Sequence, residues 1–232
     1  MLRWRDNIPV AIVWRYAAHS AMVGMALWNE ARPAPSLPDA VLDLVPRVGW
    51  IADHNYHVWL LCYIPVAIGL WRADRRAFVQ FLWLGGWLSL LRGACVVATG
   101  LGPVHGPDVN AGMDAGTMWR TWVAIVNPVT ALLTDAPHAG LTKDMFFSGH
   151  VATTFLLWLY CRPHRRLAAA AMAGHVIVTA SVFFAHLHYT IDVLGAWAIT
   201  GLIWMLVVKR WPVDTQPVAV EKPEPSLAEV RS

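Results

Sequence analysis

Long apolar runs separated by short polar stretches dominate the sequence. A helix needs roughly 20 mostly apolar residues to cross the hydrocarbon core of a bilayer. Runs of about this length are predicted to be membrane spans at about 9–28, 56–71, 77–100, 145–161, 167–186 and 190–208. The pattern therefore predicts an all-α, polytopic membrane helix bundle in which residues 1–210 form one domain with six transmembrane helices.

Two further segments are less regular than the spans. Residues 117–133 contain Trp119 and Trp122 and are compatible with an interfacial helix or with a partial span, which would change the count of crossings. After Arg210 the chain has four prolines and scattered charges, a composition typical of disorder. We predict that residues 211–232 form a disordered cytoplasmic tail.

Lysine and arginine are unequally divided between the two sets of predicted loops. Ten lie on one side and four on the other, although the loops of the second side are much longer. Because positive residues favour the cytoplasmic side, both termini are predicted to be cytoplasmic and residues 29–55, 101–144 and 187–189 non-cytoplasmic. The first run contains Arg15 and His19 and is long for a signal-peptide core, so we interpret it as a span.

Composition excludes several other classes of protein. The chain is 57% hydrophobic and 14% charged, whereas soluble domains carry about 25% charged residues. Its formal charge of +3 comes from basic residues in short turns, which form no patch for a nucleic acid. The three cysteines fit neither a disulfide framework nor a metal site, and we predict no metal and no cofactor.

Candidate chemistry is concentrated where two predicted spans begin. Ser148-Gly149-His150 opens the fourth span, and the segment from His188 to Asp192 opens the sixth. Asp192 follows His188 by four residues, so the two side chains share one helical face. A carboxylate there can fix the imidazole tautomer and raise the nucleophilicity of the other ring nitrogen. A single membrane histidine more often bonds a neighbouring helix, but the combination at matching helix ends favours catalysis.

These segments resemble the sphingomyelin synthase family, within the type 2 phosphatidic-acid phosphatase superfamily. The family has a segment Cys-Gly-Asp-x-x-x-Ser-Gly-His-Thr, of which residues 142–151 retain the Asp and the Ser-Gly-His. Residues 188–193 match its His-Tyr-Thr-x-Asp-Val segment at every fixed position. Residues 35–39 are similar to its Pro-Pro-Leu-Pro-Asp segment, and residues 91–93 to its arginine-bearing third segment. The similarity extends from about residue 33 to 208.

The resemblance implies a six-helix fold with its active site on the non-cytoplasmic face, at the inner membrane if the protein is bacterial. It also implies that His188 attacks phosphorus, that Asp192 orients His188, and that His150 acts as general acid and then as general base. The predicted substrate-binding residues are Arg92, Asp144, Ser148, Gly149 and Tyr189. A phosphate contact and a structural pairing with a backbone carbonyl are equally open for Arg92. Lys143 is expected at a solvated loop position.

One departure distinguishes the branches of this superfamily. The phosphatase branch has a Lys-x6-Arg-Pro segment before Ser-Gly-His and an arginine six residues before the later histidine, a position held here by Val182. Both features are absent, which favours the synthase branch. The leading hypothesis is transfer of phosphocholine or phosphoethanolamine from a glycerophospholipid donor to ceramide or diacylglycerol. The alternatives are a lipid phosphatase or phospholipase C-like hydrolase, a transporter or scaffold, and a protease that uses Ser148. Headgroup, acceptor and oligomeric state stay open.

Overall fold

A computed structural model of the chain describes residues 7–133 and 140–211. Every regular element in these residues is helical, which confirms the predicted all-α class for this part of the chain. The helices are α1 (Ile8–Glu30), α2 (Gly49–Ala73), α3 (Arg75–Thr99), α4 (Ala115–Val126), α5 (Pro128–Leu133), α6 (Gly149–Cys161), α7 (Arg165–Ala185) and α8 (Thr190–Arg210). A short 3-10 helix covers Leu42–Leu44. The predicted tail lies outside the described residues, apart from Trp211.

Several helices can cross a membrane. Among the described residues, α1, α3, α7 and α8 are long and apolar enough to do so. The predicted second span corresponds to α2, which has 25 residues but carries several polar side chains in its first two turns. The predicted fourth span corresponds to α6, which has 13 residues, whereas a crossing helix needs roughly 20. The fold is thus that of a multi-pass membrane protein.

Two predicted boundaries differ from the structure for identifiable reasons. The fourth span was expected to begin near residue 145, but α6 begins at Gly149 because Arg92 binds the carbonyl groups of Asp144 and Phe147. The segment 117–133 is divided into α4 and α5 at Pro128, a residue that lacks a backbone N–H.

Side-chain caps define where the helices begin. Asp74 accepts a hydrogen bond from the backbone of Ala77 at 2.9 Å, so that α3 starts directly after α2 ends. At the start of α8, the Asp192 carboxylate accepts from the backbone N–H of Tyr189 at 3.1 Å. Capping therefore fixes the Asp192 carboxylate in the first turn of α8.

The short helix α6 lies at the centre of the bundle, in contact with α2, α3, α7 and α8. Its side chains Val151, Leu156, Leu157 and Tyr160 are at most 3% exposed and belong to the largest hydrophobic core. The other main pairings join α1 to α3 and α2 to α7. The packing of α6 against these helices fixes the position of its first residues, and His150 among them is half-buried.

Candidate active site

His150, His188 and Asp192 meet at the starts of α6 and α8. The ring centroids of His150 and His188 are 6.5 Å apart. The Nδ1 atom of His188 is 3.3 Å from the Asp192 Oδ2 atom. His188 is 5% exposed and Asp192 is fully buried. The three side chains that the motifs singled out therefore occupy one site.

Backbone and side-chain contacts hold Asp192 in place. Its Oδ2 atom accepts from the Tyr189 N–H, and its backbone carbonyl accepts from the Ser148 N–H at 3.1 Å. This last bond joins the start of α6 to the start of α8. Because Asp192 engages Nδ1 of His188, the tautomer with a proton on Nδ1 is favoured and Nε2 is the nitrogen that carries the lone pair. Asp192 Oδ1 is buried and accepts no hydrogen bond from any described residue.

The Arg92 guanidinium organises the segment that leads into α6. Nε donates to the Phe147 carbonyl at 2.6 Å, and Nη2 lies 2.8 Å from Asp144 Oδ2 and 3.1 Å from the Asp144 carbonyl. Nη1 contacts the Met22 sulfur at 3.1 Å. Of the two roles left open for Arg92, the carbonyl pairing is thus present. Arg92 and Asp144 also line the main cavity of the site.

The three other predicted substrate-binding residues occupy different environments. Gly149 packs against Arg92, since a Cβ atom at this position would lie 3.1 Å from the guanidinium carbon. Ser148 is fully buried, and its hydroxyl faces the Val151 N–H at 3.5 Å as the cap of α6. Tyr189 is 2% exposed.

The hydroxyl of Tyr189 bonds to the loops of the same end of the protein. It accepts from the Leu37 N–H at 3.0 Å and lies 3.2 Å from the carbonyl oxygens of Gly102 and Pro103. In this arrangement Tyr189 joins α8 to two loops, and Ser148 starts α6. Both side chains support the frame of the site.

A cavity of about 660 Å³, open mouth included, adjoins His150. Its polar lining comprises Arg15, His19, Tyr56, Trp59, Ser89, Arg92, Asp144, His150 and Thr153, and its apolar lining includes Met22, Val23, Ile125 and Leu141. His188 adjoins His150 but is not part of this lining. The Trp59 ring meets the His150 ring edge-on, with centroids 5.7 Å apart. A chamber with both polar and apolar walls suits an amphipathic molecule.

Arg15 and His19 line the cavity but were not among the predicted site residues. Both lie within the apolar run that became α1, where ionisable side chains are rare and usually face the bundle interior or a cavity. That rule was the available signal, but it does not identify which cavity a given side chain faces.

Lys143 is buried, so its expected position in a solvated loop is wrong. Its Nζ atom donates to Asp108 Oδ1 at 2.6 Å and to the Arg32 carbonyl at 2.7 Å, and its backbone N–H donates to Glu30. Burial raises the pKa of Asp108, but the hydrogen bond and positive charge of Lys143 outweigh burial and lower that pKa below its ordinary value. The tertiary fold supplies the partners that make burial of this cation tolerable.

Glu30 is the acceptor at the centre of the same network. It is fully buried and also accepts from Asn110 Nδ2 at 2.7 Å and Thr142 Oγ1 at 2.9 Å. This network attaches the loop segment before Asp144 to the end of α1, and it thereby supports the Arg92–Asp144 pair. Within residues 7–133 and 140–211, no group of three or more His, Cys, Asp or Glu side chains is arranged to hold a metal.

Comparisons with known proteins agree with this geometry. A family model described as PAP2 superfamily C-terminal matches residues 143–209, a range that contains His150, His188 and Asp192. Sphingomyelin synthase-related protein 1 of Mus musculus and that of Homo sapiens are each 30% identical to the chain over 209 residues, or 85% of its length. The aligned region covers 43% of the mouse protein and 49% of the human protein, so the chain spans about half the length of these curated relatives.

The helical fold and the matched segment together indicate a multi-pass membrane protein with similarity to the PAP2 superfamily. Within that superfamily, the similarity over most of the chain supports its placement in the sphingomyelin synthase family. The resemblance predicted from the two histidine motifs is thereby confirmed.

Proposed function

We propose that the protein transfers a phospho-alcohol headgroup, phosphocholine or phosphoethanolamine, from a glycerophospholipid to ceramide or diacylglycerol. The observation that carries this proposal is the His188–Asp192 pair, placed 6.5 Å from His150 beside a cavity with polar and apolar walls. One imidazole is oriented as a nucleophile, and the second is close enough to exchange a proton with a group bound between them.

In the first step, Nε2 of His188 attacks the phosphorus of the donor. The N–P bond forms while the P–O bond to the glycerol oxygen breaks, and protonated His150 donates its proton to that departing oxygen. Asp192 accepts the Nδ1 hydrogen bond and stabilises the positive charge that develops on His188. Diacylglycerol leaves, and the headgroup stays on His188 as a phosphohistidine-type intermediate.

In the second step, His150 is neutral and removes the proton from the acceptor hydroxyl. The acceptor oxygen attacks phosphorus, the N–P bond breaks, and both histidines return to their starting protonation states. Water in place of the lipid alcohol would complete the same cycle as hydrolysis. The choice between transfer and hydrolysis therefore depends on which hydroxyl reaches His150.

The lining of the cavity supports a donor of this kind. Since His150 lines the cavity and His188 does not, the donor phosphate must approach His188 past the His150 ring. Tyr56 and Trp59 lie on the same side and stack with centroids 5.6 Å apart. Aromatic faces attract quaternary ammonium groups, which favours phosphocholine among the headgroups considered.

The proposal includes six crossings, cytoplasmic termini and an active site on the non-cytoplasmic face. The 25-residue length of α2 and the contacts of α6 with the longer helices around it support these two as the remaining crossings. In a cysteine-free background, Val109→Cys should react with a membrane-impermeant maleimide in intact cells, because Val109 is 71% exposed in the loop after α3. Arg72→Cys should react only after permeabilisation. The reverse labelling pattern would contradict this orientation.

The test of the activity uses purified protein in detergent with headgroup-labelled phosphatidylcholine, with and without ceramide. Ceramide-dependent formation of a labelled sphingolipid supports transfer, whereas release of phosphocholine alone supports hydrolysis. His188→Ala should abolish both products, while the matched control His54→Ala, at an exposed position of α2, should retain them. Full activity in folded His188→Ala protein would refute the covalent mechanism, whereas formation of neither product by the native protein would favour a transporter or scaffold.

A further inference from the structure

A second cation faces the cavity, further from the reaction centre than Arg92. Arg15 of α1 lines the cavity together with His19 and Ser89, and its Nη1 atom donates to Ser89 Oγ at 2.6 Å. Ser89 precedes Arg92 on α3 by three residues, or about 4.5 Å along the helix axis. The Arg15 guanidinium therefore lies about one helical turn from the level of Arg92, towards the N-terminal end of α3.

No carboxylate among the described residues pairs with Arg15. The ion pairs among the described residues involve Arg92, Lys143 and His188, and none involves Arg15. A guanidinium has five N–H donors, and a cation inside an apolar span is costly unless it finds acceptors. The bond to Ser89 uses one of the five, so the cavity is where further acceptors can bind.

The two arginines of the cavity thus differ in how their donors are used. All three nitrogens of Arg92 already contact Phe147, Asp144 or Met22. Arg15, by comparison, donates from Nη1 to a single hydroxyl in the part of the chain that the structure describes. Arg15 is therefore the cation with more donor capacity for a ligand.

A glycine on α3 allows this arrangement. A Cβ atom at Gly85 would lie 2.9 Å from Arg15 Nε and 3.2 Å from Arg15 Cδ. Any larger residue at position 85 would displace the Arg15 side chain from its path across α3. Ser89 follows one turn later on the same face, where it receives the guanidinium.

We propose that Arg15, with His19 and Ser89, forms a subsite for the acyl carbonyl oxygens of the lipid substrate. This inference rests on the proposed function, which places the reacting phosphorus between His150 and His188. The ester carbonyls of a glycerophospholipid lie a glycerol unit away from its phosphate, and the amide carbonyl of ceramide lies close to its reacting hydroxyl. A guanidinium can donate to such oxygens while the phosphorus stays at the histidines. Because Arg15 lies about one helical turn from the level of Arg92, it suits a part of the lipid other than the reacting phosphate.

The test compares diacyl phosphatidylcholine with its dialkyl ether analogue, which lacks the carbonyl oxygens. Arg15→Met should raise the KM for the diacyl donor by about tenfold to a hundredfold, the usual effect of losing a hydrogen bond to a charged group. The KM for the dialkyl donor should stay unchanged. The matched control Arg72→Met, at an exposed position at the end of α2, should change neither value.

A second set of assays varies the acceptor lipid and identifies which lipid supplies the carbonyl. If the amide oxygen of ceramide is the ligand, the loss in Arg15→Met will follow ceramide and spare its N-alkyl analogue, which has no carbonyl. Either carbonyl-dependent pattern supports the subsite. An equal loss for carbonyl-bearing and carbonyl-free lipids in both arms would show that Arg15 serves the fold, and would overturn the proposal.

A binding experiment separates this proposal from the proposed function. In His188→Ala protein, the diacyl lipid should displace a fluorescent phosphatidylcholine at lower concentration than the dialkyl lipid, and N-acyl ceramide at lower concentration than its N-alkyl analogue. At least one preference should disappear when Arg15→Met is added, whether or not the native protein turns over any lipid. If Arg15→Met does not fold, Gly85→Ala should weaken the preference and Arg15→Lys should retain part of it. Equal binding within both lipid pairs before any change at Arg15 would refute the subsite.

Discussion

Replacing Asp192 with asparagine removes one negative charge from beside His188 and preserves the shape of the side chain. Both donors at this carboxylate, His188 Nδ1 and the Tyr189 N–H, approach the same oxygen, Oδ2. An asparagine carbonyl oxygen can accept both bonds, and its NH2 group would occupy the place of Oδ1, which accepts no bond from the described residues. Asp192→Asn should therefore fold normally and lose only the electrostatic contribution.

The size of that contribution follows from the geometry. At the observed 3.3 Å separation, Coulomb's law with an effective dielectric constant of about 20 gives an upper bound of roughly 5 kcal/mol. A hydrogen bond to a charged group contributes about 1.5–3 kcal/mol in measured cases. Since each 1.36 kcal/mol changes a rate by about tenfold, we expect Asp192→Asn to lower kcat by about 10- to 5,000-fold.

The assay is headgroup transfer from labelled phosphatidylcholine under saturating donor, together with a thermal unfolding curve in the same detergent. Asp53→Asn provides the matched control, because Asp53 is exposed on α2. A folded Asp192→Asn protein with kcat within threefold of the native value would show that the charge of Asp192 is not used in the reaction. The role assigned to the His188–Asp192 pair would then be wrong.

Three other changes test the frame around the site. Glu30→Ala leaves the buried donors of Lys143 and its neighbours without an acceptor, and it should lower the free energy of unfolding by roughly 3 kcal/mol, measured by denaturation in detergent. Gly149→Ala should lower kcat severalfold in steady-state kinetics, because the new Cβ atom would lie 3.1 Å from the Arg92 guanidinium. Burial raises the pKa of Asp39, but hydrogen bonds from the Thr190 backbone and hydroxyl outweigh burial and lower it. The stability that the ionised Asp39 carboxylate contributes is therefore present above the ordinary aspartate pKa, and it is lost as pH falls through the lower folded-state pKa. Asp39→Asn should remove this pH dependence from the melting temperature.

Each of these expectations can fail separately. Unchanged unfolding of Glu30→Ala would mean that the network around Lys143 contributes little. A Gly149→Ala protein with native kcat would show that the Arg92 guanidinium can shift without consequence. An acid-dependent melting temperature that is the same with and without Asp39→Asn would assign that dependence to other groups.

The helices and the local geometry of α8 could be predicted from the sequence because both depend on short-range spacing. Long apolar runs predicted α1, α3, α7 and α8, and the four-residue interval predicted the contact of His188 with Asp192. An interval of four residues determines which helical face a side chain occupies, whatever the rest of the chain does.

The contacts between distant segments were decided by tertiary structure alone. His150 and His188 lie 38 residues apart in the chain, and their ring separation depends on how α6 packs between α7 and α8. The same holds for Lys143, which is buried because Asp108 and Arg32 supply partners, and for Arg15, which reaches the cavity because Gly85 leaves room. The sequence by itself determined which residues could react and how neighbours on one helix align. Which cavity each side chain faces was decided by packing, because pairing energies between helices depend on the positions of all the helices at once.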